Sequence, residues 1–87
     1  MEEWVRDFVE RVFSTMYCWA MDIGDGINTI IVYDLHTAIE DFSNWSRAQF
    51  LPEEVEEFYK QPDDVVNEAY NYFEELKDGV IYGLEDL

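Results

Sequence analysis

"INTIIVYDLHTAIEDFSNWS", residues 27–46, is the stretch whose reading decides the fold. Its opening "INTIIVY" is rich in β-branched side chains and would suit a strand. Across the whole stretch, however, Ile27, Ile31, Leu35, Ala38, Phe42 and Trp45 recur at spacings of three or four, the period of one helix face. Asn28 offers an N-cap, because its side chain can accept from the first free backbone N–H groups. The helical reading is therefore preferred over 27–46. The alternative is an α+β chain with a short two-stranded element pairing 28–33 with "VIYGL", 80–84.

Outward from that stretch the helical period is clearer. Residues 2–21 carry apolar pairs at Trp4/Val5, Phe8/Val9, Val12/Phe13 and Met16/Tyr17, a four-residue step that keeps one face buried. Glu2 and Glu3 suit the positive end of that helix. "DIGDG", 22–26, breaks the pattern with two glycines. Downstream, Pro52 is placed for a first helical position, with Val55, Phe58 and Tyr59 on the inner side. Pro62 restarts the pattern, and Val65, Ala69, Tyr72, Phe73 and Leu76 carry a fourth helix that Lys77 and Gly79 would close. The tail from Val80 to Leu87 is too short to assign. The expectation is a mainly α domain of about four helices spanning 1–87.

The chain has 87 residues, 48% of them hydrophobic and 17% aromatic, with a formal net charge of −16. That is too apolar for intrinsic disorder, so a small aromatic core is expected. The acidity is uneven. Residues 1–50 hold nine acidic and three basic side chains, and residues 51–87 hold twelve and two. Such a chain is repelled by nucleic acids and anionic membranes and attracted to basic surfaces. No apolar run reaches the roughly 18 residues of a membrane span. Acidic residues at 2, 3, 7 and 10 stand where a signal peptide would be basic. Cys18 is the single cysteine, which excludes an internal disulfide and fits a reducing cytoplasm.

Carboxylates at this density suggest several chemistries. A calcium loop in "DIGDGINTIIVYD" fails on register, since Gly26 at loop position six puts Met21 at position one and Val32 at position twelve. No Asp/Glu pair stands out as a catalytic dyad. His36 has no nucleophile motif to activate and reads as a partly exposed helix residue. No enzyme, cofactor or metal is expected. Met16, Cys18, Trp19 and Met21 read as core. Trp4 and Trp45 suit either the core or a partner contact.

The strongest signal is "FLPEEVEEFYKQPDD", 50–64, with six carboxylates and one lysine. Solubility alone is served by a net charge of magnitude about 2–8 in a small domain. Halophilic adaptation is the other plain explanation. Residues three and four apart on a helix share a face, so Glu53, Glu56 and Glu57, and Asp64, Glu68 and Glu75, form lines of negative charge like a phosphate backbone. Glu53, Glu54, Glu56, Glu57, Asp63, Asp64, Glu68, Glu74 and Glu75 are the candidate partner-binding residues.

Two fragments carry a resemblance. "LPEEVEE", 51–57, resembles a segment of the phage uracil-DNA glycosylase inhibitor family, which is built around a β-sheet and carries Glu-Ser-Ile before that segment. Here Arg47, Ala48, Gln49 and Phe50 precede it. "DLHTAI", 34–39, is similar to a run in the Ocr-type antirestriction proteins, acidic helical dimers that mimic DNA. Size, charge and aromatic content also resemble acidic anti-CRISPR proteins. The resemblance implies a phage inhibitor that acts in the host cytoplasm, occupies the nucleic-acid cleft of a basic host enzyme, and does not itself bind nucleic acid. The alternative is an acidic module that binds a basic protein without such competition. The aromatic excess also allows a homodimer.

Overall fold

Val5, Phe8, Val9, Val12 and Met16 repeat with the helix period, and all are fully buried. They form the inner face of a helix around which the rest of the chain is arranged. The computed structural model describes residues 1–23 and 26–85. Its helices are α1 (Glu3–Ile23), α2 (Ile27–Val32), α3 (Leu35–Phe42), α4 (Pro52–Tyr59) and α5 (Asp63–Glu85). No strand occurs among the described residues, so the mainly α expectation holds, with one helix more than expected.

α1 packs against α2, α3 and α5, and aromatic rings join it to the other segments. Phe8 meets Phe50 at 5.8 Å and Phe58 edge-on at 5.2 Å between centroids. Phe13 meets Phe73 edge-on at 6.0 Å, and Trp19 meets Phe42 at 5.5 Å. Such contacts contribute about 0.5–1.5 kcal/mol each beyond their burial. The pairings fix direction. The N-terminal ammonium reaches Glu68, while Phe13 reaches Phe73, so α5 runs alongside α1 in the same sense. Phe8 meets Phe58 while Arg11 meets Glu54, so α4 runs the opposite way.

The 27–46 stretch is helical but not one helix. Tyr33 and Asp34 are both extended, with ψ of 135° and 179°. The cause is Asp34, whose Oδ1 accepts from Thr37 N at 2.8 Å while Thr37 Oγ1 accepts from Asp34 N at 3.0 Å. This reciprocal cap starts α3 and ends the continuous period. Ile31 is accordingly exposed while Ile30 is buried, and Trp45 lies beyond α3. Gly26, not Asn28, caps α2. Its φ of 51° lies in the left-handed region that glycine occupies freely. Gly24 and Asp25, in the expected break, fall outside the described residues.

The strand alternative is overturned at both of its ends, since 28–32 lie in α2 and 80–84 in α5. α5 does not close at Gly79, which keeps a negative φ. Val80 and Leu76 pack on the core and carry the helix onward. Lys77 is not a C-cap of its own helix. It is buried, at 6% exposure, and its Nζ donates to Ile31 O and Tyr33 O, the free carbonyls at the end of α2. A six-residue helix is marginal alone, and this bond ties it to α5. Met21, expected in the core, is 61% exposed, and Tyr59, expected inward, is 44% exposed. Among the described residues no helix is long and apolar enough to cross a membrane.

Lys77→Met keeps the side chain's length and apolar stem but orphans two carbonyls. It should lower the unfolding free energy by about 1–3 kcal/mol in urea titrations, whereas Lys60→Met, at an exposed site, should change it by less than about 0.5 kcal/mol. Equal effects would contradict this role for Lys77.

Candidate functional site

Five basic side chains face 21 acidic ones, and the structure commits every one of the five. Arg6 lies within 4.0 Å of Glu10, Arg47 bonds to Asp22, Lys60 is 3.5 Å from Glu57, and Lys77 is 3.5 Å from Glu74. Arg11 is the most engaged. Its Nε donates to Asp7 at 3.0 Å, its Nη1 to Gln49 O at 3.3 Å and Glu54 Oε1 at 2.8 Å, and its Nη2 to Glu54 Oε2.

Glu54 is thereby separated from its neighbours in sequence. It is half-buried, paired through both oxygens with Arg11, and its Oε1 also accepts from Leu51 N at 2.9 Å, closing the start of α4. The guanidinium and that backbone N–H hold its carboxyl below the usual range. Glu54 belongs to the fold. Glu53, Glu56 and Glu57 are exposed on the remaining faces of α4. Glu53 and Glu57 border a groove of about 400 Å³ that is also lined by Trp4, Glu54 and Gln61.

Asp63 and Asp64 occupy the first turn of α5, exposed and suited to its positive end. Glu68, Glu74 and Glu75 are exposed further along. Glu68 pairs with the N-terminal ammonium at 3.1 Å. Asp64, Glu68, Glu75 and Asp78 fall at helical offsets of four, eleven and fourteen, one face of α5, over about 21 Å at 1.5 Å per residue. That is a mean separation of about 7 Å between charges, roughly twice the 3.4 Å of axis per phosphate on a DNA strand. Glu74 points off this line toward Lys77.

The first turn of α1 sits between these two acidic groups, because Trp4 lines the α4 groove while Met1 contacts α5. Glu2, just before α1, and Glu3, in its first turn, are both exposed, and Glu2 accepts from the indole N–H of Trp4, which lines the groove. Sequence reasoning assigned these two only to the helix dipole, and it passed over Asp78, whose offset from Asp64 was readable. Elsewhere the surface is different in kind. Tyr17, Met21, Ile23, Ile31, Val32 and Tyr82 are the exposed apolar side chains near the far ends of α1 and α5 and on α2.

Other candidate chemistry is muted. His36 is exposed, with Nδ1 2.8 Å from Tyr59 Oη and Nε2 3.1 Å from Glu40. Partial burial, helped by nearby Tyr70, Glu40 and Asp34, pushes the Tyr59 hydroxyl up to about 12. Cys18 is half-buried beside Gln49. Among the described residues no group of three or more His, Cys, Asp or Glu side chains could hold a metal ion. Comparisons with family models, curated proteins and solved structures find no match to this chain.

The folded carboxyl of Glu54 titrates below its unfolded value of about 4.3. Its contribution is therefore full above that value and is lost as the pH falls through the folded pKa. Glu54→Gln should cost about 1–3 kcal/mol at pH 7, and its deficit against the parent chain should narrow as the pH falls below about 4.3, measured by denaturant titration at each pH. A deficit that persists unchanged at low pH would mean that packing, not charge, is what Glu54 supplies.

Proposed function

We propose that this protein is a nucleic-acid-mimicking inhibitor that occupies the DNA- or RNA-binding cleft of a host defence or repair enzyme. A CRISPR effector, a restriction enzyme and a uracil-DNA glycosylase are the target classes, met in the cytoplasm of the host cell. The observation that carries this reading is the division among the carboxylates. Glu54 is committed to the fold, whereas Glu53, Glu56, Glu57, Asp63, Asp64, Glu68 and Glu75 stand exposed on two helices anchored to one aromatic core. Rigid helices hold the charges in place before binding, which spares the ordering cost a flexible polyanion would meet. Charge of this density speeds encounter with a basic cleft and makes binding weaken with salt.

The test is inhibition of the three enzyme classes at increasing concentrations of substrate nucleic acid. Mimicry requires that more nucleic acid relieve the inhibition. Changing Glu53, Glu56 and Glu57 to Gln should leave the melting temperature unchanged or higher. It should also weaken inhibition by at least about tenfold, or 1.4 kcal/mol, mainly through slower association. Inhibition of no class overturns the proposal. Inhibition that is equally strong on an enzyme already loaded with nucleic acid replaces it with an acidic module that binds a basic partner elsewhere.

A further inference from the structure

The groove between α1 and α4 has an aromatic wall and a negatively charged rim. Trp4 is half-buried and packs against the core. Its indole N–H donates to Glu2 across the same turn, which fixes the ring. That bond also occupies the ring's one polar hydrogen, so the indole can offer a ligand only its face. Glu53 and Glu57 stand exposed beside it, four residues apart on α4, and Gln61 closes the end of the groove.

The same combination of ring and carboxylate appears twice more in the molecule, each time holding one of its own arginines. Arg47 lies 5.7 Å from the Trp45 ring centroid and bonds to Asp22. Arg6 lies 5.3 Å from the Tyr72 centroid and within 4.0 Å of Glu10. Among the described residues no guanidinium lies over Trp4; Arg11 is held by both oxygens of Glu54, which also lines the groove, and Lys60 lies 3.5 Å from Glu57.

We propose that the groove lined by Trp4, Glu53, Glu57 and Gln61 takes one arginine side chain from the basic partner surface. Charge complementarity selects a cation. The flat ring selects a planar one, because a guanidinium stacks on an indole and forks to two carboxylates, whereas an ammonium is a hydrated point charge. A volume of about 400 Å³ accommodates one such side chain with its apolar stem against the ring. The inference rests on the reading that the partner is basic, and it adds a point of anchorage to what is otherwise a diffuse field.

The probe is acetyl-Gly-Arg-Gly-amide, with its lysine counterpart, titrated into the isotopically labelled protein. The arginine peptide should shift the Trp4 indole N–H resonance saturably, with a dissociation constant at least about fivefold below that of the lysine peptide. Glu53→Gln with Glu57→Gln should weaken the arginine peptide about tenfold. Glu75→Gln with Asp78→Asn removes the same charge from α5 and should change it less than about twofold. Equal binding of the two peptides, or equal losses from the two double variants, overturns the groove and leaves only a charged surface. Either result is independent of the nucleic-acid competition, so a failed groove with relieved inhibition removes only this anchor. A working groove without competition removes only the mimicry.

Discussion

A single guanidinium, that of Arg11, joins three parts of this chain. It reaches Asp7 on its own helix, the Gln49 carbonyl in the segment after α3, and both oxygens of Glu54 at the start of α4. One turn further along α1, buried Thr15 continues the same seam. Its Oγ1 donates to Arg11 O and accepts from Gln49 N at 2.9 Å. The irregular stretch between α3 and α4 is thus held to α1 by hydrogen bonds as well as by Phe50 in the core. Bidentate pairs are the stronger kind of ion pair, and this one is partly shielded from water. It fixes the rotation of α4 about its own axis, and that rotation decides which glutamates face outward.

The scarcity of cations makes this arrangement consequential. Arg11 and Lys77 are placed inside the fold, where each satisfies groups that would otherwise be left unpaired. Arg6, Arg47 and Lys60 are exposed on neighbouring carboxylates. Most of the acidic surface has no counter-charge from the chain itself. Self-repulsion of that size destabilises a compact state, and here it is opposed by a core of Phe8, Phe42, Phe58 and Phe73, all essentially fully buried. The aromatic richness of the sequence and its acidity are connected in this way. The rings stabilise a fold whose surface repels itself.

Helical class and the long elements were legible in the sequence, because Val5 through Met16 and Val65 through Leu76 repeat at the helix period without ambiguity. The break at Asp34 was not read, although the residue was in view. A spacing of three and four can be extended across Leu35 by counting, but an aspartate with a threonine three residues on caps a new helix, and that local bond prevailed over the longer period. Gly79 misled in the opposite direction. Glycine ends helices by adopting a positive φ, and here the apolar contacts of Leu76 and Val80 keep it helical. At the candidate site, counting identified which carboxylates could share a face. It could not separate Glu54 from Glu53, because the separation depends on Arg11, 43 residues away in sequence. The Trp4 groove was equally out of reach, since it exists only once α1 and α4 lie side by side.

In the proposed function these exposed carboxylates stand in for phosphates in a cleft that evolved for nucleic acid. Hydrogen–deuterium exchange on an inhibited enzyme tests it most directly, by mapping which segments are protected by this protein and which by the enzyme's own nucleic acid. The two sets of protected segments should coincide along the basic cleft. Protection confined to a surface that the nucleic acid never shields would contradict it.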